Sequence, residues 1–268
     1  MSMKNTPIDA EAIQRLLSRE RLGKLVEVTG DLEAAISLHQ DALRIGAHLM
    51  TIIATVEISL RNIICENLSE HFAVSNWLSQ PPIMLDWREP ERNKLKQAID
   101  SARKAEYAKL SQTEKSNLDT KAYPNGIRTN NSHLQRSKDR RRQLVISEGK
   151  IVAELTLYFW KRLYGPDYEQ SLWRTTLKRT FPDRKLKRAD VAIQLEHIYQ
   201  ARNRLAHHEP VLHGRLKDTI NAINFVTQHL GDYLPNQETP IRKLIAKDMD
   251  MLIALSEGLH SKIASYKT

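Results

Sequence analysis

From Asp31 to about Phe72 the apolar residues recur at helical spacing without relief: Leu32, Ala35, Ile36, Ala42, Leu43, Leu49, Ile53, Val56, Leu60, Ile63, Ile64 and Leu68. A helix of roughly forty residues would run about 60 Å unbroken. A kink or short break near Gly46 is the expected way of shortening it.

The remaining segments agree with an all-α fold. Thr6-Pro7 reads as a cap and first turn of a helix that runs to about Val28 and stops at Gly30. Trp77 to Pro90, with three prolines and two tryptophans, reads as an ordered loop. Glu91 to about Leu110 is helical but strongly polar. Ser111 to Arg142 is rich in turn chemistry, with Pro124-Asn125-Gly126 and Thr129 to Ser132, and is expected to be a mobile polar insertion. Helical periodicity resumes at Ser147 and stops at Gly165-Pro166, with Ile151, Leu155, Tyr158, Phe159 and Leu163 on its apolar side. A short helix over Leu172 to Thr180 follows. Helices are then expected over Arg188 to His207, Arg215 to Leu230 and Pro240 to Ser265. The expectation is a single domain over 1–268. Its helical core covers about 8–72 and 147–230, a polar insertion about 111–146, and a C-terminal helix about 240–265. Trp77, Trp87, Trp160 and Trp173 read as core or interface anchors.

Charge narrows the partners. The chain has 41 Lys and Arg against 32 Asp and Glu, a net +9, which points to a polyanion and first to nucleic acid. One cluster falls in Arg128 to Arg142 (Arg128, Arg136, Lys138, Arg140, Arg141, Arg142). A second holds Arg174, Lys178, Arg179, Arg184, Lys185, Lys187 and Arg188. The single cysteine, Cys65, allows no internal disulfide and suits a reducing compartment. The N-terminus has no apolar signal core. The apolar stretch Leu49 to Leu60 reads as too short and too polar for a bilayer. A cytoplasmic protein without a membrane segment is expected.

Chemistry concentrates in Ala201 to Arg215, which carries three of the ten histidines: His207, His208 and His213. Adjacent histidines point about 100° apart on a helix, the HExxH spacing is absent, and no thiolate cluster exists, so no metal is expected. Glycine-loop nucleotide motifs and the GxSxG elbow are absent too. What remains is Arg202-Asn203-x-x-x-His207, set against the bland alternative of a polar helix end. An imidazole can take a proton from a ribose 2′-OH or deliver one to the leaving 5′-oxygen. A guanidinium can hold the scissile phosphate through two hydrogen bonds and offset transition-state charge. No cofactor is needed. Arg128 to His133 has the same spacing, but it sits in an Asn-rich stretch with no apolar face to hold it and reads as a chance match. On a straight helix Arg202 and His207 diverge by about 140°, so convergence needs a helix break or a second copy of the motif across a two-fold axis. A homodimer is therefore expected. His213 reads as a surface or loop residue.

RNRLAHHEPV resembles the C-terminal signature of Abi-like (abortive-infection, AbiD/AbiF-type) proteins of the HEPN superfamily of helical ribonucleases. Two further stretches are similar to the family in the expected order. They are Glu57-Ile-Ser-Leu-Arg61-Asn62, and Glu154-Leu-Thr-Leu-Tyr158-Phe-Trp160 followed by Leu172-Trp173 and Phe181-Pro182. The resemblance covers roughly residues 15 to 215. It departs near residues 38 to 41, where Leu-His-Gln-Asp stands in place of a Tyr-x-Trp-Asn pattern. It implies an all-α HEPN-type helical bundle with additional helices and a polar basic insertion. It also implies metal-independent RNA cleavage by 2′-OH attack, in phage defence or as a toxin. Arg202 and His207 would be the catalytic pair, and Asn203 would orient the site. His208, Glu57 and Arg61 would support it. The RNA-binding residues would be Arg136, Lys138, Arg140, Arg141, Arg142, Lys178, Arg179, Arg184, Lys185, Lys187 and Arg188. An antitoxin protein or an inhibitory RNA is the expected restraining partner. The alternative from another class is a non-catalytic RNA-binding or scaffolding module.

Overall fold

The computed structural model describes residues 9–126, 132–231 and 237–266. Thr6-Pro7, Arg128 and Thr129 to Asn131 lie outside them. Eleven α-helices and a few short 3-10 or π turns make up the regular structure, with no strand among the described residues. The chain divides into two compact units, Met1–Ser59 with Ile193–Thr268, and Leu60–Ala192.

In the first unit, two helices replace the single one expected to Val28: α1, Ala10–Leu17, and α2, Arg19–Thr29. They part at Ser18, whose φ of 75° breaks the helix while its hydroxyl accepts from the Arg21 amide and caps α2. Gly30 closes α2 in the left-handed conformation, its N–H donating to the Val26 carbonyl at 2.8 Å. α3, Leu32–Phe72, then runs unbroken through Gly46, without the expected break. The glycine serves packing instead: a Cβ at Gly46 would stand 3.1 Å from Leu205 Cδ2. It thus admits the helix α9, Arg188–Ala206, at close range. α10, His213–His229, and α11, Pro240–Ser265, complete the unit, to which α3 contributes its residues up to Ser59 and α9 those from Ile193 on, the rest of both helices belonging to the second unit. Lys262 of α11 ties back to α3 through Asp41 at 2.8 Å and Ser37 at 2.7 Å.

Along α3, Leu49, Ile52, Ile53, Val56, Leu60, Ile64 and Leu68 are wholly buried. Burying an aliphatic side chain of this size contributes about 1.5–3 kcal/mol, so this stripe is a main source of stability. Leu43, Ala47, Thr51, Ala54 and Ile58 mark a second stripe that faces solvent. By length and composition α3 is apolar enough to cross a membrane, with an 18-residue window of mean hydropathy 1.4.

The second unit holds α4, Glu89–Lys109; α5, Gln112–Ala122; α6, His133–Arg142; α7, Glu148–Glu154; and α8, Leu157–Arg162. Two of these occupy the segment expected to be a mobile insertion. Several of its polar residues pair with one another. Ser111 and Glu114 form a capping box at the start of α5. Asp119 of α5 accepts from Arg136 and Arg140 of α6, and Tyr123 donates to Asp139 at 3.0 Å. The periodic run from Ser147 is likewise two helices, parted at Leu155 and Thr156. Leu172 to Thr180 is a π turn and a 3-10 turn rather than one helix.

All four tryptophans are buried. Trp87 meets Phe159 at 5.5 Å between ring centres, and Phe159 meets Trp160 edge-on at 5.1 Å. Beside them Glu91, fully buried, accepts from Arg162 Nε at 2.7 Å and from the Tyr168 hydroxyl at 2.8 Å. Burial, above all, raises the Tyr168 pKa and keeps that hydroxyl a donor.

Candidate functional site

α9 ends where the sequence motif begins to matter. The His208 amide donates to the Leu205 carbonyl at 3.0 Å, and the Glu209 amide donates to the Arg204 carbonyl at 2.8 Å. These two bonds define a Schellman turn. Its left-handed position is normally glycine, but here His208 occupies it, with φ of 56°. A side chain in that conformation costs about 1 kcal/mol or a little more. Tertiary contacts hold it there: Arg21 Nη1 of α2 donates to the His208 carbonyl at 2.8 Å. Arg204 pairs with Glu209 at 3.0 Å, and Pro210 follows, unable to continue a helix.

This turn sets His207. Its amide is shared between the Asn203 carbonyl at 3.2 Å and the Arg204 carbonyl at 3.1 Å, so its backbone is fixed while its side chain is exposed. Arg202 is half-buried one turn earlier. Among the described residues no hydrogen bond joins the side chains of Arg202, Asn203 and His207, and the helix directs the first and last apart. Asn203 instead lines a polar cavity of about 290 Å³ between α9 and α10 that neither Arg202 nor His207 lines. His197, Gln200, Arg204, Arg215 and Asp218 share that cavity. The sequence reading missed them. The spacing of 197, 200 and 204, one stripe of α9, is the signal that could have found them.

Glu57 and Arg61 stand one turn apart on α3, both half-buried, and the Arg61 Nε is buried without an acceptor. His208, Glu209 and Pro210 also form one wall of an apolar cavity of about 580 Å³, whose floor includes Leu25, Met50 and Leu205. His39 lines it too. Burial and then Arg21 lower its pKa and keep it neutral. His213, with φ of 53°, is exposed, and its Nδ1 lies 3.2 Å from His260 Nε2. Among the described residues no group of three or more His, Cys, Asp or Glu is placed to hold a metal.

The basic clusters divide by what their charges already touch. Arg140, expected on an RNA-facing surface, is only 6% exposed and clamped to Asp119. Arg136 shares the same carboxylate, whose pKa the two guanidiniums depress. Arg188 is turned inward as well, donating to Glu169 at 2.6 Å and to the Tyr164 carbonyl at 2.6 Å. Arg140 and Arg188 are thereby turned away from the RNA-facing surface expected for them, whereas Arg136, with its side chain 37% exposed, keeps a face to solvent. Lys138, Arg142, Lys178, Arg179, Arg184, Lys185 and Lys187 are exposed and Arg141 half-buried.

Comparison with models of protein families, with curated proteins and with solved structures finds no match to this chain.

Proposed function

We propose that this chain is a HEPN-type, metal-independent endoribonuclease of the Abi-like kind, acting in phage defence or as a toxin. The observation that carries the reading is the end of α9. An exposed His207 is fixed by a Schellman turn that tolerates a strained histidine at its left-handed position, with Arg202 half-buried on the preceding turn. Strain retained at such a position accompanies functional sites. In the proposed reaction the ribose 2′-oxygen attacks its own phosphorus and the bond to the 5′-oxygen breaks. The products are a 2′,3′-cyclic phosphate and a 5′-OH. Arg202 holds the phosphate oxygens, and His207 moves a proton, either from the 2′-OH or to the leaving oxygen. Two copies of the motif across a two-fold axis would supply both proton transfers and bring an Arg202 to a His207. The solvent-facing stripe of α3, with Leu43 and Ile58 exposed, offers apolar surface for that pairing. Asn203 and His208 serve as positioning residues. An antitoxin protein or an inhibitory RNA restrains the enzyme in a cytoplasmic setting.

A second reading is favoured by one specific observation: within one chain Arg202 and His207 do not meet. On that reading the protein is a non-catalytic RNA-binding or scaffolding module. Labelled RNA incubated in chelator with wild type, Arg202→Ala and His207→Ala separates the two. The nuclease reading expects cleavage by wild type alone. Equal cleavage by all three, or none with the restraining partner removed, refutes the nuclease reading, and RNA binding that survives both substitutions but drops after charge reversal at Arg140 to Arg142 supports the module.

A further inference from the structure

The second unit has a cavity of about 720 Å³ between the loop after α3, α4 and α6. Six cations line it: Arg92, Lys96 and Arg103 from α4, and Lys138, Arg141 and Arg142 from α6. Asp100 is the one carboxylate among its lining residues. The α4 cations fall on one stripe of that helix, at intervals of four and seven residues, and extend about 16 Å along it.

Their charges are poorly spent within the protein. Lys96 makes no ion pair among the described residues, and Lys138 makes no direct one, acting on the neighbouring Asp139 only at longer range. Arg103 and Arg141 each donate through Nε to a backbone carbonyl, of Leu144 at 3.4 Å and Ser137 at 3.3 Å. Their terminal nitrogens remain for another acceptor. Arg92 donates through Nη2 to the Trp87 carbonyl at 2.8 Å and reaches the exposed Asp86 at 3.2 Å, and Arg142 reaches Asp139 at 3.3 Å. The contrast is with Arg136 and Arg140 on the same α6, both committed to Asp119. Of the α4 acids, Glu91 is taken by Arg162 and Glu106 by Lys109 and Lys150, which leaves Asp100 as the one that faces the cleft. Among the cations lies apolar surface from Leu78, Pro81, Leu95 and Ile99.

We propose that this cleft binds a single strand of RNA, with its phosphates along the α4 and α6 cations and an unpaired base against the apolar floor. A linear track of separated cations suits a chain of phosphates, whereas a lone phosphate is held by donors converging on one point. The cleft holds the strand and takes no part in bond cleavage. This assignment rests on the reading of the protein as one that handles RNA.

The test uses the full chain carrying His207→Ala, so that RNA is not consumed, and a fluorescein-labelled oligouridylate of about twelve nucleotides read by anisotropy. Lys96→Glu, Arg103→Glu and Lys138→Glu together should weaken binding at least tenfold. They should also flatten the plot of log affinity against log salt by about two units, at about 0.7 per lost phosphate contact on a single strand. Lys96→Met with Lys138→Met, which removes charge without reversing it, should give a smaller loss in the same direction. Lys243→Glu with Lys247→Glu, exposed on α11, should change little. Circular dichroism and thermal unfolding matching the parent establish that the variants are folded. Unchanged affinity and slope in the folded triple variant would overturn the proposal, as would an equal loss in the α11 control. Uridine monophosphate competing as strongly per molecule as the oligomer would mean a free-nucleotide site, and duplex RNA competing better would mean a duplex surface. Either also overturns it. If the triple variant loses binding while His207→Ala leaves cleavage untouched, the catalytic reading fails and the cleft stands.

Discussion

His208 is the position at which backbone geometry and the proposed chemistry can be separated most cleanly. Its φ of 56° places a side chain where glycine is the usual residue. His208→Gly removes a strain of about 1 kcal/mol but adds about 0.4–1 kcal/mol of unfolded-state freedom. The net is a small stabilisation or none. At about 2 °C per kcal/mol for a chain of this size, Tm should rise by no more than about 1 °C. His208→Val places a β-branched residue at the same φ and should cost about 1–2 kcal/mol, or 2–4 °C. His208→Pro cannot adopt the conformation and loses the bond to the Leu205 carbonyl, so about 3 kcal/mol is expected. Thermal unfolding ranks the three, and RNA cleavage by the same proteins shows whether the turn serves His207. Glycine should keep most activity, because it keeps the turn and the carbonyl that Arg21 holds. A His208→Gly protein that melts more than about 4 °C below wild type would refute this reasoning, as would a valine variant as stable as wild type. Either result would mean that the imidazole, and not the backbone, holds the turn.

Three further outcomes follow from the second unit. Arg162→Met leaves Glu91 buried without its cation and should cost about 3–5 kcal/mol in chemical denaturation, whereas Arg162→Met combined with Glu91→Leu should recover much of that. Asp119 has its pKa depressed by Arg140 and Arg136, so its contribution is complete above the unfolded value near 4. That contribution is lost as pH falls through the lower folded value. Below about pH 4 the Tm of Asp119→Asn should therefore fall less steeply than that of wild type. Burial, then Glu148, pushes the Cys65 thiol up to about 12, so native protein at pH 8 should react with iodoacetamide far more slowly than unfolded protein.

The helices carried by long apolar periodicity were legible in sequence. α3, α4, α9 and α11 lie within a few residues of their expected bounds, because each is specified by its own buried stripe and terminal residues. Segments whose order comes from polar pairing were not legible. Ser111 to Arg142 looks like solvent-exposed turn sequence until Asp119 is seen between Arg136 and Arg140. The same blindness misassigned part of the basic clusters. A charge run does not disclose which guanidinium has a carboxylate across from it, so Arg140 and Arg188 were read as surface. The cations of α4 were overlooked because Glu89, Glu91 and Glu106 mask them in sequence, and only packing removes Glu91 and Glu106 from the balance. For the candidate site, the helix end near His207 and the divergence of Arg202 from His207 followed from residue types and the 3.6-residue turn. The Schellman bonds and the Arg21 contact, 187 residues away in sequence, did not.

The most direct measurement is the end chemistry of RNA cut by the purified protein in excess chelator. The account predicts fragments ending in a 2′,3′-cyclic phosphate with 5′-OH partners. It predicts no cutting at a site carrying a 2′-deoxyribose, and none by Arg202→Ala or His207→Ala. Fragments ending in 3′-OH and 5′-phosphate, or cleavage that needs added metal or survives the loss of His207, would contradict it.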